Sequence, residues 1–340
     1  MVEPRGALPQ AAARLDNDFT RLFEGEVLIA VEALNLDAAS FAQIERAAGG
    51  DDAEIAHIVL RTVQERGKQH NPVTGSGGML LGRVVQVVPG NGRAARGANT
   101  PAVGGRIATL VSLTLTPLRL DRVRAVRRPS AQLDVDGEAV LFASGAYADL
   151  PGDMPERLAL AALDVAGAAP QVARLVEPGA VVVVLGAGGK SGLLCAAEAR
   201  RSGGPGARVV GVEANPLASD DLRALGFCDA VVVADARDAI GLRRAVLGAT
   251  GGREADLTVS CVNVPDAEVG AILCTRDRGA VYFFAMSTSF TQAALGAEGV
   301  GKDVDLHIGN GYARDHAAHT LSMLRDLPGL RAVFERRYAG

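Results

Sequence analysis

Four glycines, a lysine, a serine and a carboxylate are spaced in this chain as a phosphate-binding turn requires. The run VVVVLGAGGKSG, residues 181–192, is an apolar strand leading directly into glycine and then into a helix, Leu193 to Arg201, the context of a dinucleotide fingerprint. Gly186 permits the tight turn off the strand. Gly188 and Gly189, without side chains, let the backbone approach a pyrophosphate, and Gly192 lets helix and sheet pack closely. Ala187, Lys190 and Ser191 complete the loop, where helix N-terminal amides face the phosphates. Lys190 either adds charge there or is an ordinary exposed side chain. A strict GxGxxG frame needs glycine at Ser191, so the better fit is GxxGxxG through Gly186, Gly189 and Gly192. The next strand, RVVGVE, ends at Glu213, 21 residues after Gly192, close to the spacing of a carboxylate that bonds the adenosine ribose diol. Glu213, with Asn215 beyond it, points to NAD: a 2'-phosphate would set charge against charge, and NADP would require Glu213 to turn away, with Arg237 or Arg243 the nearest basic candidates. The chemistry is hydride transfer to a nicotinamide.

Positioning such a loop takes a parallel sheet. After an Ala-rich helical stretch from Pro155 to about Leu175, strand and helix alternate strictly. The strands are Val181 to Leu185, Arg208 to Val212, Ala230 to Val233, Leu257 to Cys261, Ala280 to Ala285 and Val304 to Ile308, all apolar or β-branched runs that read as buried on both faces. Cys261, Val262 and Asn263 end the fourth strand, and Ala285, Met286 and Ser287 end the fifth. By position both ends flank the ribose and nicotinamide, and Asn310 after the sixth strand meets the carboxamide. Before this α/β Rossmann region, short strands at Glu26 to Ala33, Gly82 to Val88, Arg106 to Leu113 and Ala139 to Ala143 predict a small β-rich domain. Two helices interrupt it, Ala38 to Ala47 and one running from the N-cap Asp51 to Gly67. The division is residues 1–150, 151–312 and 313–340, with a Pro-Gly turn after Leu150 and two closing helices, His316 to Leu327 and Gly329 to Arg337.

With 340 residues, 48% of them hydrophobic, the chain can build about two cored domains. A net charge of -4 leaves no electrostatic footprint for nucleic acid or a membrane surface. No apolar run is long enough to span a bilayer and the start MVEPRGALPQ lacks a signal-peptide layout, so a cytoplasmic protein is expected. The four cysteines, Cys195, Cys228, Cys261 and Cys274, form no CxxC pair; neither disulfide nor metal cluster is expected. The scarcity of lysine, present only at Lys68, Lys190 and Lys302, reads as genome composition.

Order and spacing resemble the medium-chain dehydrogenase/reductase superfamily. The resemblance implies a GroES-like domain first, a doubly wound six-stranded Rossmann domain second, and last helices that return to the first domain. In that superfamily a strand such as EVLIAVEALNLDAAS leads to a metal-ligand cysteine and a later segment supplies a histidine. Here Asp37 and Met79 stand at or near those places. Methionine is no zinc ligand in this setting, so a zinc-free member is expected. Within the superfamily, GALPQAAARLDN, EALNLDAASF, NPVTGSGGMLLG and LDVAGAAPQ resemble the L-erythro-3,5-diaminohexanoate dehydrogenases of lysine fermentation. That resemblance implies NAD-dependent oxidative deamination of a small diamino acid. By analogy the sixth strand, DVDLHIG, pairs with its copy in a homodimer.

Such a reaction needs a base to neutralise the substrate ammonium before hydride leaves, and acids to hold a second ammonium. Asp164, an acid in an apolar stretch, and Asp37 are the candidates, with Asp164 favoured; Asp37 reads equally well as the N-cap of the helix at Ala38. In the polar loop KQHNPVTGSGG, His70 has the pKa range for proton transfer, and Asn71, Thr74 and Ser76 are substrate contacts, or the loop is simply a surface one. Ser40 bonds substrate or nicotinamide, or only its own helix. His307 reads as a core or ribose-side residue. The alternatives are a zinc-independent NAD(P)H quinone or enoyl reductase and a nucleotide-binding protein without turnover.

Overall fold

Two six-stranded sheets of opposite character carry these residues. The computed structural model describes residues 2–3, 7–71, 75–90, 100–309 and 311–339. The chain divides into Met1–Asp164 with Arg337–Gly340, and Val165–Arg336.

In the first unit the strands are β1 (Val27–Asn35), β2 (Met79–Val87), β3 (Arg106–Thr109), β4 (Leu118–Arg127), β5 (Gln132–Leu141) and β6 (Tyr147–Asp149). They form one antiparallel sheet in the order β4-β5-β1-β2-β3-β6. Val27, Ile29, Val31 and Leu34 of β1 pack into a core shared with Phe41 of helix α1 (Ala38–Ala47) and Ile55, Val59 and Val63 of α2 (Asp52–Arg66). Burying each such side chain contributes about 1.5–3 kcal/mol. Asp37 caps α1 and Asp51 caps α2, whose C-cap Gly67 is left-handed. A Cβ on Gly67 would lie 1.9 Å from the Leu15 carbonyl, so only glycine fits.

Three sequence expectations change here. β4, read as no strand, is one: its charged sequence LRLDRVRAVR sits at the sheet edge, where charge discourages further pairing. Its arginines meet acids across the ladder, Arg127 with Asp134 at 2.6 Å, Arg122 with Asp136 and Arg119 with Glu138. The strand placed at Ala139 is the end of the longer β5. The strand beginning at Arg106 stops at Thr109, because Ser112 caps a short 3-10 turn over Leu113–Leu115. The scarce Lys68 is buried, and its ammonium donates to the carbonyls of Pro9 at 3.2 Å and Ala12 at 2.6 Å. Burial, with Arg66 nearby, lowers its pKa.

In the second unit β7 (Val181–Leu185), β8 (Arg208–Glu213), β9 (Ala230–Val233), β10 (Ala255–Ser260), β11 (Thr275–Phe283) and β12 (Asp305–Ile308) are all parallel. Their order is β9-β8-β7-β10-β11-β12, a doubly wound sheet with its switch point between β7 and β10. Burial on both faces holds at the centre: all five residues of β7 are buried. It fails at the edges. Val233 of β9 and Ile308 of β12 are exposed, and His307, read as core or ribose-side, is exposed as well.

The Ala-rich stretch is two helices, α3 (Glu156–Leu163) in the first unit and α4 (Ala168–Leu175) in the second. Gly167 opens α4 against Gly311, where a Cβ would stand 2.3 Å from a carbonyl oxygen. The closing helices, α10 (His316–Asp326) and α11 (Pro328–Tyr338), belong to the second unit up to Arg336. Thr320 of α10 donates to the Ala166 carbonyl at 3.0 Å. Among the described residues no single helix is long and apolar enough to cross a membrane.

His316 opens α10, buried and edge-on to Tyr312 at 5.0 Å. Burial lowers its pKa, against a smaller opposing hydrogen bond at Ala313 and the charge of Asp315. A folded-state pKa below the unfolded value of about 6.5 means the unfolded chain binds more protons in the interval between them. The contribution is therefore complete above about pH 6.5 and is lost as pH falls toward the folded pKa. Thermal melts should show the His316→Leu variant losing less stability than the parent between about pH 7.5 and 5.5; equal losses would mean that His316 does not carry this dependence.

Candidate active site

The dinucleotide turn is built by backbone contacts that exclude side chains. Gly186 leaves β7 at φ +70, and Ala187 donates its amide to Val212 of β8 at 3.0 Å. The helix that follows, α5 (Lys190–Gly203), is set so tightly on the strand that a Cβ on Gly192 would lie 2.0 Å from the Gly186 carbonyl oxygen. Gly188 is buried, and a Cβ there would stand 2.7 Å from Ala218 Cβ and 2.9 Å from Glu213 Oε2. Gly189 is exposed and meets nothing nearer than the Gly186 carbonyl oxygen at 3.5 Å. The sterically demanded glycines are thus 186, 188 and 192, which revises the GxxGxxG frame: Gly188 replaces Gly189 as the middle position. Gly189 is the open one, where a ligand phosphate has backbone access.

Glu213 closes the turn. Its Oε2 accepts from the Gly188 amide at 3.0 Å and its Oε1 from the Asn215 amide at 3.0 Å. Asn215 in turn caps the helix α6 (Pro216–Leu225) through the amides of Leu217 and Ala218. The carboxylate is half-buried and keeps lone pairs beyond those two bonds, since an ionised carboxylate offers about four acceptor directions. With the opening amides of α5, for which no acceptor exists within the helix, these groups fit a dinucleotide: donors for the pyrophosphate and an acceptor for the ribose diol. Lys190 and Ser191 are both half-buried at the start of α5.

At the carboxyl ends, β10 stops at Ser260 and β11 at Phe283, so Cys261–Asn263 and Ala285–Ser287 lie in the turns just beyond. Ser287 ties them together by donating to the Val262 carbonyl at 2.9 Å. Cys261 and Val262 are half-buried, while Asn263 and Met286 are exposed. Asn310 lies outside the described residues.

The first unit gathers a second polar cluster where β1 passes into α1. The Asp37 carboxylate accepts from the Ser40 amide at 2.9 Å and from the Ser40 hydroxyl. Ser40 Oγ accepts from Asn71 Nδ2 at 3.0 Å, and Asn71 takes up the Ser76 carbonyl at 2.7 Å through its own amide. Ser40 and Asn71 are buried. Asp37 is therefore the helix cap, and it also terminates a hydrogen-bond chain that makes Ser40 and Asn71 one unit. His70 stands beside it, its Nδ1 3.5 Å from Thr114 Oγ1. Burial first, then the charges of Lys68 and Arg66, lower its pKa, which favours the neutral imidazole. Thr74 lies outside the described residues.

Ser112 and Thr114 were invisible to sequence reasoning. Ser112 accepts from the Gly77 amide at 3.1 Å and Thr114 donates to the Gln69 carbonyl at 3.4 Å, contacts between segments distant in sequence. Asp164 is the half-buried C-cap of α3, at the end of its helix rather than within it. Met79 is buried in β2 opposite Asn35. Among the described residues no three His, Cys, Asp or Glu side chains converge as a metal site.

An antiparallel N-terminal sheet followed by this parallel sheet defines the medium-chain dehydrogenase/reductase fold. The chain is similar to the crystal structure of an alcohol dehydrogenase from Thermotoga maritima, with a TM-score of 0.56 and 16% identity over 92% of this chain and 85% of that one. Residues 1–151 match the L-erythro-3,5-diaminohexanoate dehydrogenase N-terminal domain family. Curated proteins named L-erythro-3,5-diaminohexanoate dehydrogenase are similar over 99% of the chain, at 49% identity in Acetoanaerobium sticklandii, covering 97% of that protein, and 48% in Fusobacterium nucleatum, covering 96%. The chain belongs to this dehydrogenase family.

The two adjacent glycines give a direct test of the turn. Gly188→Ala should lower the melting temperature of the cofactor-free protein, by an overpacking cost of about 1–3 kcal/mol, whereas Gly189→Ala should leave it unchanged. The reverse order would restore the GxxGxxG frame.

Proposed function

We propose that this protein catalyses the NAD-dependent oxidative deamination of L-erythro-3,5-diaminohexanoate, giving 5-amino-3-oxohexanoate, ammonium and NADH, in lysine fermentation. The observation that carries the reading is 49% identity across 99% of the chain to a protein of that name. NAD, when bound, supplies the hydride acceptor. Glu213 holds its ribose diol, and the glycine turn with the α5 amides holds its pyrophosphate. The preference for NAD over NADP rests on the Glu213 carboxylate, which would repel a 2'-phosphate.

The chain's own groups manage protons and orientation. The C3 amine must be neutral before its lone pair can form the iminium bond, so a base removes one ammonium proton; a base is needed again when water adds. Asp164 is our candidate for that base. Asp37, oriented by Ser40 and Asn71, holds an ammonium by charge-assisted hydrogen bonding, with Ser76 and Thr74 as further substrate contacts. His70, kept neutral, accepts and returns a proton. Cys261, Val262, Asn263, Ala285, Met286, Ser287 and Asn310 are assigned to the ribose and nicotinamide end. We assign no zinc to the reaction and place it in the cytoplasm.

A homodimer formed at β12 accords with the exposure of that edge. Ile308 on β12 is 53% exposed, and Phe290 and Leu295 on the preceding helix α9 (Phe290–Val300) are 65% and 61% exposed. An open strand edge with an exposed Ile308, in a unit that also leaves Phe290 and Leu295 in water, fits a second copy.

NADH absorbance after mixing the protein with NAD and the diamine tests the reaction. Turnover is expected with this substrate and not with simple alcohols or quinones; the converse would overturn the assignment. Asp164→Asn should lower kcat by about a hundredfold or more with NAD binding intact, and unchanged kcat would remove Asp164 as the base. Glu213→Ala should shift the ratio of NAD to NADP affinities toward NADP; a constant ratio would mean that the carboxylate does not meet the ribose.

A further inference from the structure

Two thiols stand against the dinucleotide turn, and although Cys261 is assigned to the cofactor's ribose and nicotinamide end, the proposed reaction calls on neither sulfur. Cys195 lies on α5 three residues beyond Gly192 and has no solvent exposure. Cys261 follows β10, is half-buried, and donates its amide to the carbonyl of Leu185, the residue before Gly186, at 2.9 Å. The two sulfurs are 3.8 Å apart. They touch without being bonded, since a disulfide needs about 2.05 Å.

We infer that Cys195 and Cys261 form a peroxide-sensitive dithiol, and that its disulfide switches off dinucleotide binding. The accessible thiol reacts first. Hydrogen peroxide transfers one oxygen to Cys261: an S–O bond forms, the O–O bond breaks, and one water departs, with Cys261 left as the sulfenic acid. Cys195 then attacks the Cys261 sulfur; the S–S bond forms, the S–O bond breaks, and the hydroxyl departs with the Cys195 proton as a second water. The two thiols have lost two electrons and the peroxide has gained them. Cys195 does not meet the peroxide itself, because it is fully buried; the sulfur within its reach is that of Cys261.

Closing the gap between the sulfurs requires movement, and the packing decides what moves. α5 cannot approach β7, because Gly192 already meets the Gly186 carbonyl at backbone distance. We place the movement in the chain after β10, which carries Cys261 to Asn263. The Cys261 carbonyl oxygen is 3.1 Å from where a Gly186 Cβ would stand, so the shift also presses on the turn. A displacement of about 1 Å in a positioning element costs on the order of a hundredfold in rate.

The functional consequence rests on the dinucleotide reading above, so the test separates the two. The reduced full-length protein is treated with hydrogen peroxide, quenched, and examined by thiol titration, peptide mass mapping, NAD calorimetry and turnover. Two of its four thiols should disappear as a Cys195–Cys261 link, with turnover falling about a hundredfold, NAD affinity falling, and both returning on dithiothreitol. Cys195→Ala, placed among Ala196, Ala197 and Ala199, should keep basal turnover and show no link and no dithiothreitol-reversible loss. A different linkage, a link with unchanged NAD affinity, or the same reversible loss in Cys195→Ala would each overturn the inference. Absence of NAD binding in the untreated protein would instead overturn the dinucleotide reading, while the mass map still reports on the thiol pair.

Discussion

A Cβ on Gly192 would lie 2.0 Å from the Gly186 carbonyl oxygen, and the close approach of helix to strand that this implies is the constraint on which the dinucleotide unit depends. It places the amino end of α5 directly over the carboxyl end of β7. Once that is set, Gly188 must pass beneath the Glu213 carboxylate, and Glu213 can hold the turn through the Gly188 amide while Asn215 starts the next helix. One backbone contact thereby orients the opening amides of α5, the Glu213 carboxylate and the first two strands together.

The first unit solves a different problem. Its polar cluster hangs on strand ends and loops, which have no shared frame like that of α5, and it is fixed by side-chain hydrogen bonds instead. Asp37 illustrates this: the carboxylate that starts α1 is also the end of the hydrogen-bond chain through Ser40 to Asn71. The outer edge of the same sheet is held by arginine–acid pairs between β4 and β5. Partly exposed pairs of this kind contribute only about 0.2–1 kcal/mol each, and their charge also protects the edge from unwanted pairing.

The legible parts of the sequence were those written in local chemistry. β7 and β9 fall where apolar runs place them, α1 spans the predicted residues, and the caps Asp51 and Gly67 bracket α2. The resemblance of four short segments pointed to the family that the relatives show. β4 escaped because its charges are satisfied across the sheet rather than along the chain. Ser112 and Thr114 escaped because their partners, Gly77 and Gln69, are distant in sequence.

The sequence by itself determined the order of elements, the presence of a glycine turn with an acid on the following strand, and the kinship to a dehydrogenase family. All of these rest on local periodicity or on residue identity at short spacing. Tertiary structure alone decided which glycine is indispensable, which face of Glu213 is committed to the turn, and that two cysteines 66 residues apart meet at 3.8 Å. Those outcomes depend on where separate strands and helices come to rest. Steric exclusion between backbones acts through space, and no one-dimensional pattern carries it.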